Sequence, residues 1–248
     1  MGARGLPATV LGMRIAVFGD VHGNAFALRR VLDDARAATP DAMVNLGDQV
    51  TGRADPARAY ALQAALRAQG TVEVIGSAEP HLRAPDELNA WLRSVLPDGA
   101  VERLQGLPVT ARVADGSVVA CHGDPSNPSG HLLWSWQRGP YVTRSCEDLR
   151  AAVRGLDARV VLCGHTHREG MTVVDDTLVV NVGAVGVQVD GDPRARWALL
   201  EFRAGRWLVE FRRVTYDWNA AAAWVSAHAP DGQRPDGLAE ATALTTGR

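Results

Sequence analysis

The stretch Arg14-Ile15-Ala16-Val17-Phe18-Gly19-Asp20-Val21-His22-Gly23-Asn24 decides how the rest of the chain is read. Residues 14–18 are mostly apolar and suit a short, buried β-strand. The strand runs into a turn rich in glycine and acid, and Asn24 stands where a helix N-cap belongs. Residues 25–38 then carry apolar side chains at Phe26, Leu28, Val31, Leu32 and Ala35, a helical spacing, and Pro40 closes the helix. Strand, polar turn and helix make the βα unit from which parallel sheets are assembled.

The unit recurs. Residues 42–46 form a second strand ending in Gly47-Asp48, and Asp55-Pro56 opens a helix that stops at Gly70. Residues 71–75 give a third strand, ending in Gly76-Ser77-Ala78-Glu79, and residues 85–95 a helix. Residues 109–113 and 117–121 flank the hairpin turn Ala114-Asp115-Gly116 and lead into His122-Gly123-Asp124. A long irregular loop is expected over 124–140, then a helix over 145–153 capped by Ser145. Residues 158–163 are a strand ending in Gly164-His165-Thr166-His167. Antiparallel strands follow at 172–174, 177–182, 196–202 and 207–214. Residues 1–12 are expected to be a flexible extension, 13–218 the folded domain, and 219–248 a helix followed by a partly disordered tail.

With 248 residues, Lys plus Arg 26 and Asp plus Glu 28, the formal charge is -2. That balance supplies no global field for nucleic acid or an anionic membrane. All the fixed side-chain cations are arginine, since the chain has no lysine. Three scattered cysteines, Cys121, Cys146 and Cys163, are too few for a disulfide framework and point to a reduced, cytoplasmic setting. No apolar run reaches the roughly 18 residues of a membrane span.

Several strands thus end in groups able to bind a metal. The carboxyl ends of strands in open α/β sheets form the ligand crevice, so Asp20, His22, Asp48, His122, His165 and His167 are expected to meet there. Two carboxylates and four imidazoles are the mixed oxygen and nitrogen donors that manganese, iron, zinc or nickel accept. A pair of such ions about 3.5–4 Å apart clamps a phosphoryl group and activates water. The adjoining glycines allow tight turns.

This order of motifs resembles the calcineurin-like metallophosphoesterase superfamily, in particular the small bacterial branch of YfcE-like phosphodiesterases related to the VPS29 scaffolds. Residues 180–186, 191–195 and 213–217 resemble that branch's late segments. The resemblance implies an αββα sandwich of two mixed sheets with flanking helices. It implies two divalent metal ions, one held by Asp20, His22, bridging Asp48 and His167, the other by Asp48, His122 and His165, with Asp48 and His122 central to catalysis. The family's usual Asn-His pair is replaced here by Ser77-Ala78. Ser77 offers a shorter-reaching oxygen for the second metal, and Ala78 transfers no proton, a loss that commonly costs about 10²–10⁴ in rate. Glu79 and His81 are nearby stand-ins, though His81 reads better as an exposed loop residue. Asn24, Arg53 and Arg168, with Arg138, are candidate substrate contacts. Trp134 and Trp136 either stack on a base or plug their loop onto the core, and His131 in that loop has no assigned role. The implied activity is a phosphodiesterase acting on a small, nucleotide-like phosphoester. The rival is a binding or scaffold protein with a weakened site. Nucleic-acid processing has only the tryptophan loop behind it.

Overall fold

The computed structural model describes residues 10–136, 139–232 and 234–248. Strand β1 (Arg14–Phe18) is buried from its second residue onward. It pairs in parallel with β2 (Ala42–Asn45), which pairs in parallel with β3 (Val72–Glu73). On its other side β1 pairs antiparallel with β11 (Ala195–Arg203), and β11 with β12 (Arg206–Val214). The second sheet has the order β4 (Thr110–Val113), β5 (Val118–Cys121), β8 (Val160–Cys163), β10 (Thr177–Asn181) and β9 (Gly170–Val174). Within it β5, β8 and β10 run parallel, while β4 and β9 are antiparallel edges.

The period-2 alternation of side chains builds the layers. Ile15, Val17 and Val44 of the first sheet face Val118, Ala120, Val160, Leu162 and Val180 of the second. The alternate residues Ala16 and Phe18 pack outward beneath α1 (Ala25–Ala37) and α6 (Trp218–His228). Val119, Cys121, Val161 and Cys163 point the other way, toward α5 (Cys146–Val153). Helices therefore cover the outer face of each sheet, which is the αββα sandwich expected. Helix α2 (Pro56–Arg67) lies between the second and third strands in sequence, α3 (Glu87–Val95) and α4 (Ala100–Gln105) lie between the third and fourth, and the three share an apolar cluster around Leu82, Leu92 and Leu104.

Local expectations hold where the caps are specific. Asn24 accepts a hydrogen bond from the Ala27 amide at 2.9 Å, Asp55 caps α2 and Ser145 caps α5. Three expectations differ. The loop after His122 contains an antiparallel ribbon of β6 (Trp134–Trp136) and β7 (Tyr141–Thr143). The C-terminal region is ordered further than its polar composition suggests. Helix α7 (Pro235–Thr246) starts at a proline in its first turn and ends at Gly247, whose φ of 70° closes it in the left-handed region. The packed domain also begins before Met13, since Val10 is buried in the core between the sheets. Residues 1–9 of the expected extension lie outside the described residues.

All three cysteines are free, with Cys121 and Cys163 buried as small core residues. Among the described residues no helix is long and apolar enough to cross a membrane.

Candidate metal centre

Because β1, β2, β5 and β8 present their carboxyl ends on one edge of the sandwich, the turns that follow converge there. Asp20 and His22 come from the turn after β1, Asp48 from the turn after β2, His122 follows β5, and His165 and His167 follow β8. The donor atoms of Asp20, His22 and His167 lie within 4.8 Å of one another, and so do those of Asp48, His122 and His165. The two clusters abut. His122 Nε2 is 3.7 Å from Asp20 Oδ1 and 3.3 Å from Asp48 Oδ2, and His22 Nε2 is 3.7 Å from Asp48 Oδ2.

The backbone bends unusually to achieve this. Asp20, His22, Asp48, His165 and His167 all have φ between 47° and 65°. This left-handed region is uncommon for residues with a Cβ, and such residues gather at functional sites. Glycine permits the approach: a Cβ on Gly76 would lie 2.2 Å from the Asp48 amide nitrogen.

Backbone carbonyls select the face that each histidine presents. His122 Nδ1 is 2.7 Å from the Leu46 carbonyl, and His22 Nδ1 is 3.0 Å from that of Thr51. A carbonyl only accepts, so each Nδ1 carries the hydrogen and Nε2 is left to face the centre. Two buried atoms there have no hydrogen-bond partner: Asp20 Oδ1 and His122 Nε2. Buried polar atoms are normally satisfied, so an orphaned oxygen and nitrogen aimed into one space fit a missing cation. His22 Nε2 and His167 Nε2 are 3.1 Å apart, a separation that needs a proton or a cation between them. The donor set and these orphans suit divalent first-row metals.

The electrostatics agree. Burial works to raise the carboxyls of Asp20 and Asp48, but the imidazoles of His122 with His167, and of His122 with His22, hold both below their ordinary value. Burial works to lower His122, and the carboxylates of Asp20 and Asp48 override it and push the imidazole up to about 10. His167 is likewise raised against burial by Asp20, while burial and the nearby His122 lower His165.

The third turn faces the same space. Ser77 Oγ donates to Asp48 Oδ2 at 3.0 Å, and the Ala78 amide donates to Asp48 Oδ1 at 2.7 Å. Glu79 is a correction to the expected stand-in for a proton donor. Its carboxylate lies fully buried beneath the turns, accepting from the amides of Asp48, Gln49 and Gly76 at 3.0, 2.7 and 2.8 Å. Burial, with the Asp48 charge, raises it to about 7. It braces the second and third turns against each other. Its burial three residues after a turn glycine left no sequence signal separating it from a surface acid. His81 is exposed at the end of a single 3-10 turn (Glu79–His81).

Two expected substrate contacts are committed elsewhere. Asn24 is buried, capping α1 and donating to the Gly186 carbonyl and Tyr216 Oη, both at 3.3 Å. Arg53 is saturated by Asp231 and Glu240. Arg168 is different. Its guanidinium lies over the Tyr141 ring at 5.1 Å, and its buried Nε has no partner. Tyr141 also meets His131 edge-on, and His131 stacks on His165 with ring centroids 5.3 Å apart. Trp134 donates to the Arg168 carbonyl at 2.8 Å and so pins the ribbon to the turn after His167, whereas Trp136 is exposed. Arg138 lies outside the described residues.

Residues 13–205 match the calcineurin-like phosphoesterase superfamily domain. The chain belongs to that superfamily. Its metal-dependent phosphoester chemistry accords with two clusters of candidate ligands. A crystal structure of a metallophosphoesterase from Sphaerobacter thermophilus is similar at a TM-score of 0.72 and 26% identity, covering 96% of this chain and 100% of that one. The structure of a hypothetical protein from Pyrococcus horikoshii gives a TM-score of 0.73 at 17% identity, over 95% of this chain and 99% of that one, and shares the fold. An uncharacterised protein of Methanocaldococcus jannaschii is 23% identical over 230 residues, 82% of this chain and 88% of its own length. The superfamily membership expected from the order of motifs is borne out over residues 13–205, most of the chain.

Proposed function

We propose that this protein hydrolyses a phosphodiester with two divalent ions held by Asp20, His22 and His167 and by Asp48, His122 and His165. The observation that carries the reading is the orphaned pair Asp20 Oδ1 and His122 Nε2, buried where six donors converge. When bound, such ions supply Lewis-acid stabilisation of the phosphoryl oxygens and lower the pKa of water. Asp48, between the two clusters and held by Ser77 and the Ala78 amide, is oriented to serve both. His122, fixed by the Leu46 carbonyl, keeps its Nε2 toward the reacting space. Arg168, supported on Tyr141, offers a cation to the non-bridging oxygens.

Nothing at Ala78 delivers a proton, so the leaving group departs as its anion. An aryl diester or another ester of a low-pKa alcohol fits this best. A small, nucleotide-like substrate in the cytoplasm is the physiological form of the reading. The metals are manganese, iron, zinc or nickel, and the donor set accommodates each.

The test is elemental analysis of purified protein, with aryl phosphodiesters and monoesters assayed before and after chelation. Diester turnover that chelation abolishes and added metal restores is the expected result. Ser77-Ala78 favours a second reading, a binding or scaffold protein on this fold. A fully metallated sample inert toward every ester would select it.

A further inference from the structure

The C-terminal region lies beyond residue 205, where the superfamily match ends. Helix α7 and the turn that carries Asp231 before it nevertheless reach the loops behind one of the two clusters. Arg53 Nε and Nη2 donate to the two oxygens of Asp231 at 2.7 and 2.6 Å. Arg53 Nη1 donates to Glu240 Oε2 at 2.8 Å, and the Arg53 backbone amide to Glu240 Oε1 at 2.6 Å. A single carboxylate of α7 thus holds both the side chain and the main chain of Arg53.

The loop so held touches the centre. Thr51, two residues before Arg53, supplies the carbonyl that fixes His22 Nδ1. Gly52 lies against His22 so closely that an added Cβ would sit 2.0 Å from the His22 carbonyl oxygen and 3.4 Å from Glu240 Oε1. The far end of α7 makes a second contact. The Gly191 amide donates to the Gly247 carbonyl at 2.7 Å. His22 of the Asp20–His22–His167 cluster therefore has its backbone partner in the loop that α7 grips. The anchors of His122 and of Asp48 in the other cluster come from Leu46, Ser77 and Ala78, which α7 does not grip.

We propose that Trp218–Arg248 is a positioning arm for the Asp20–His22–His167 cluster, acting through Arg53, Asp231 and Glu240. The inference rests on the metal reading above. Outer partners that orient metal-binding histidines commonly change metal affinity by roughly 10–100-fold when removed. Loss of the clamp should weaken the first cluster by such a factor and leave the second unchanged.

The experiment is calorimetric titration of metal-free protein with Mn²⁺ in two backgrounds. His165→Ala leaves the first cluster intact, and His167→Ala leaves the second. Into each, Glu240→Gln is introduced, which keeps the shape of the side chain, and Arg53→Met, which removes the guanidinium. Arg53→Lys tests rescue by a conservative cation, and thermal melting of every variant reports folding. The expected result is a roughly 10–100-fold weaker Mn²⁺ affinity in the His165→Ala background, a change under about twofold in the His167→Ala background, and partial recovery with Arg53→Lys. Should Arg53→Met fail to fold, Glu240→Gln alone decides. Equal losses in both backgrounds, or no loss in either, would overturn the arm. A parent protein that takes up no Mn²⁺ would overturn the metal reading itself, and this inference with it.

Discussion

Removing the metals should make stability fall more steeply as pH rises into the alkaline range. In the metal-free protein His122 holds a proton up to pH about 10, kept there by Asp20 and Asp48. In the unfolded chain an imidazole loses its proton near ~6.5. The folded pKa is the raised one, so the stabilisation is complete below ~6.5 and is lost as pH rises through the folded value. Between pH 7.5 and 9 the folded state holds about one more proton than the unfolded state. The slope is then ~1.4 kcal/mol per pH unit, or ~2 kcal/mol over the window. His167, also raised, adds in the same direction. Asp20 and Asp48 are ionised throughout, and Glu79, raised to about 7, has largely finished titrating. For a chain of this size ~2 kcal/mol lowers the melting temperature by ~4–8 °C. With divalent ions bound, the imidazole carries no proton in either state, and that slope disappears. Melting curves of chelated and metal-loaded protein across the window provide the assay. The buried Cys121 and Cys163 thiols ionise only on unfolding and also reduce stability in alkali, but they do so in both samples and cancel in the difference. Parallel curves for the two samples would refute the assignment of a displaced proton to His122.

Asp48→Asn should lower the metal content of both clusters, and elemental analysis showing parental content would remove the shared role. Glu79→Ala strands three amides that now share one carboxylate, at about 1–3 kcal/mol for each unsatisfied group. Urea denaturation should show a loss on the order of 3 kcal/mol or more, and a loss under about 1 kcal/mol would deny the bracing role. Arg168→Met removes a charge-assisted contact and should raise KM by about 10–100-fold with less effect on kcat, whereas a purely kcat effect argues against substrate contact. Ser77→Asn with Ala78→His should speed diesters of poor leaving groups more than good ones, and equal gains would contradict the missing-acid explanation.

The turns were legible because their chemistry is local. A short apolar run followed by Gly-Asp or Gly-His specifies both a buried strand and its polar end, so the six donors could be placed on one edge before any contact was known. Asn24 illustrates the limit. Its N-cap role follows from its position in the chain, but its bonds to Gly186 and Tyr216 join residues 162 and 192 positions away. Those long-range bonds make it a structural residue rather than a substrate contact. Arg53 was opaque for the same reason, as its partners, Asp231 in the turn after α6 and Glu240 of α7, lie in a stretch of polar, glycine-bearing composition. Glu79 and Tyr141 gain their roles from packing between turns, and periodicity carries no information about that.

The left-handed turns bear on how this protein should be engineered. Three of the six converging donors, His22, His165 and His167, are histidines that sit where glycine, and to a lesser degree asparagine or aspartate, is more comfortable. At about 1–2 kcal/mol per position for such a side chain, the three histidines cost about 3–6 kcal/mol, a sizeable share of the 5–15 kcal/mol that keeps a typical domain folded. Glycine at His22, His165 or His167 should therefore raise the melting temperature of the empty protein while abolishing its ligands. A library screened for heat resistance in the presence of a chelator would drift toward such replacements and erode the centre. The same library screened with metal present would keep it, because only there does each histidine return more than its backbone costs.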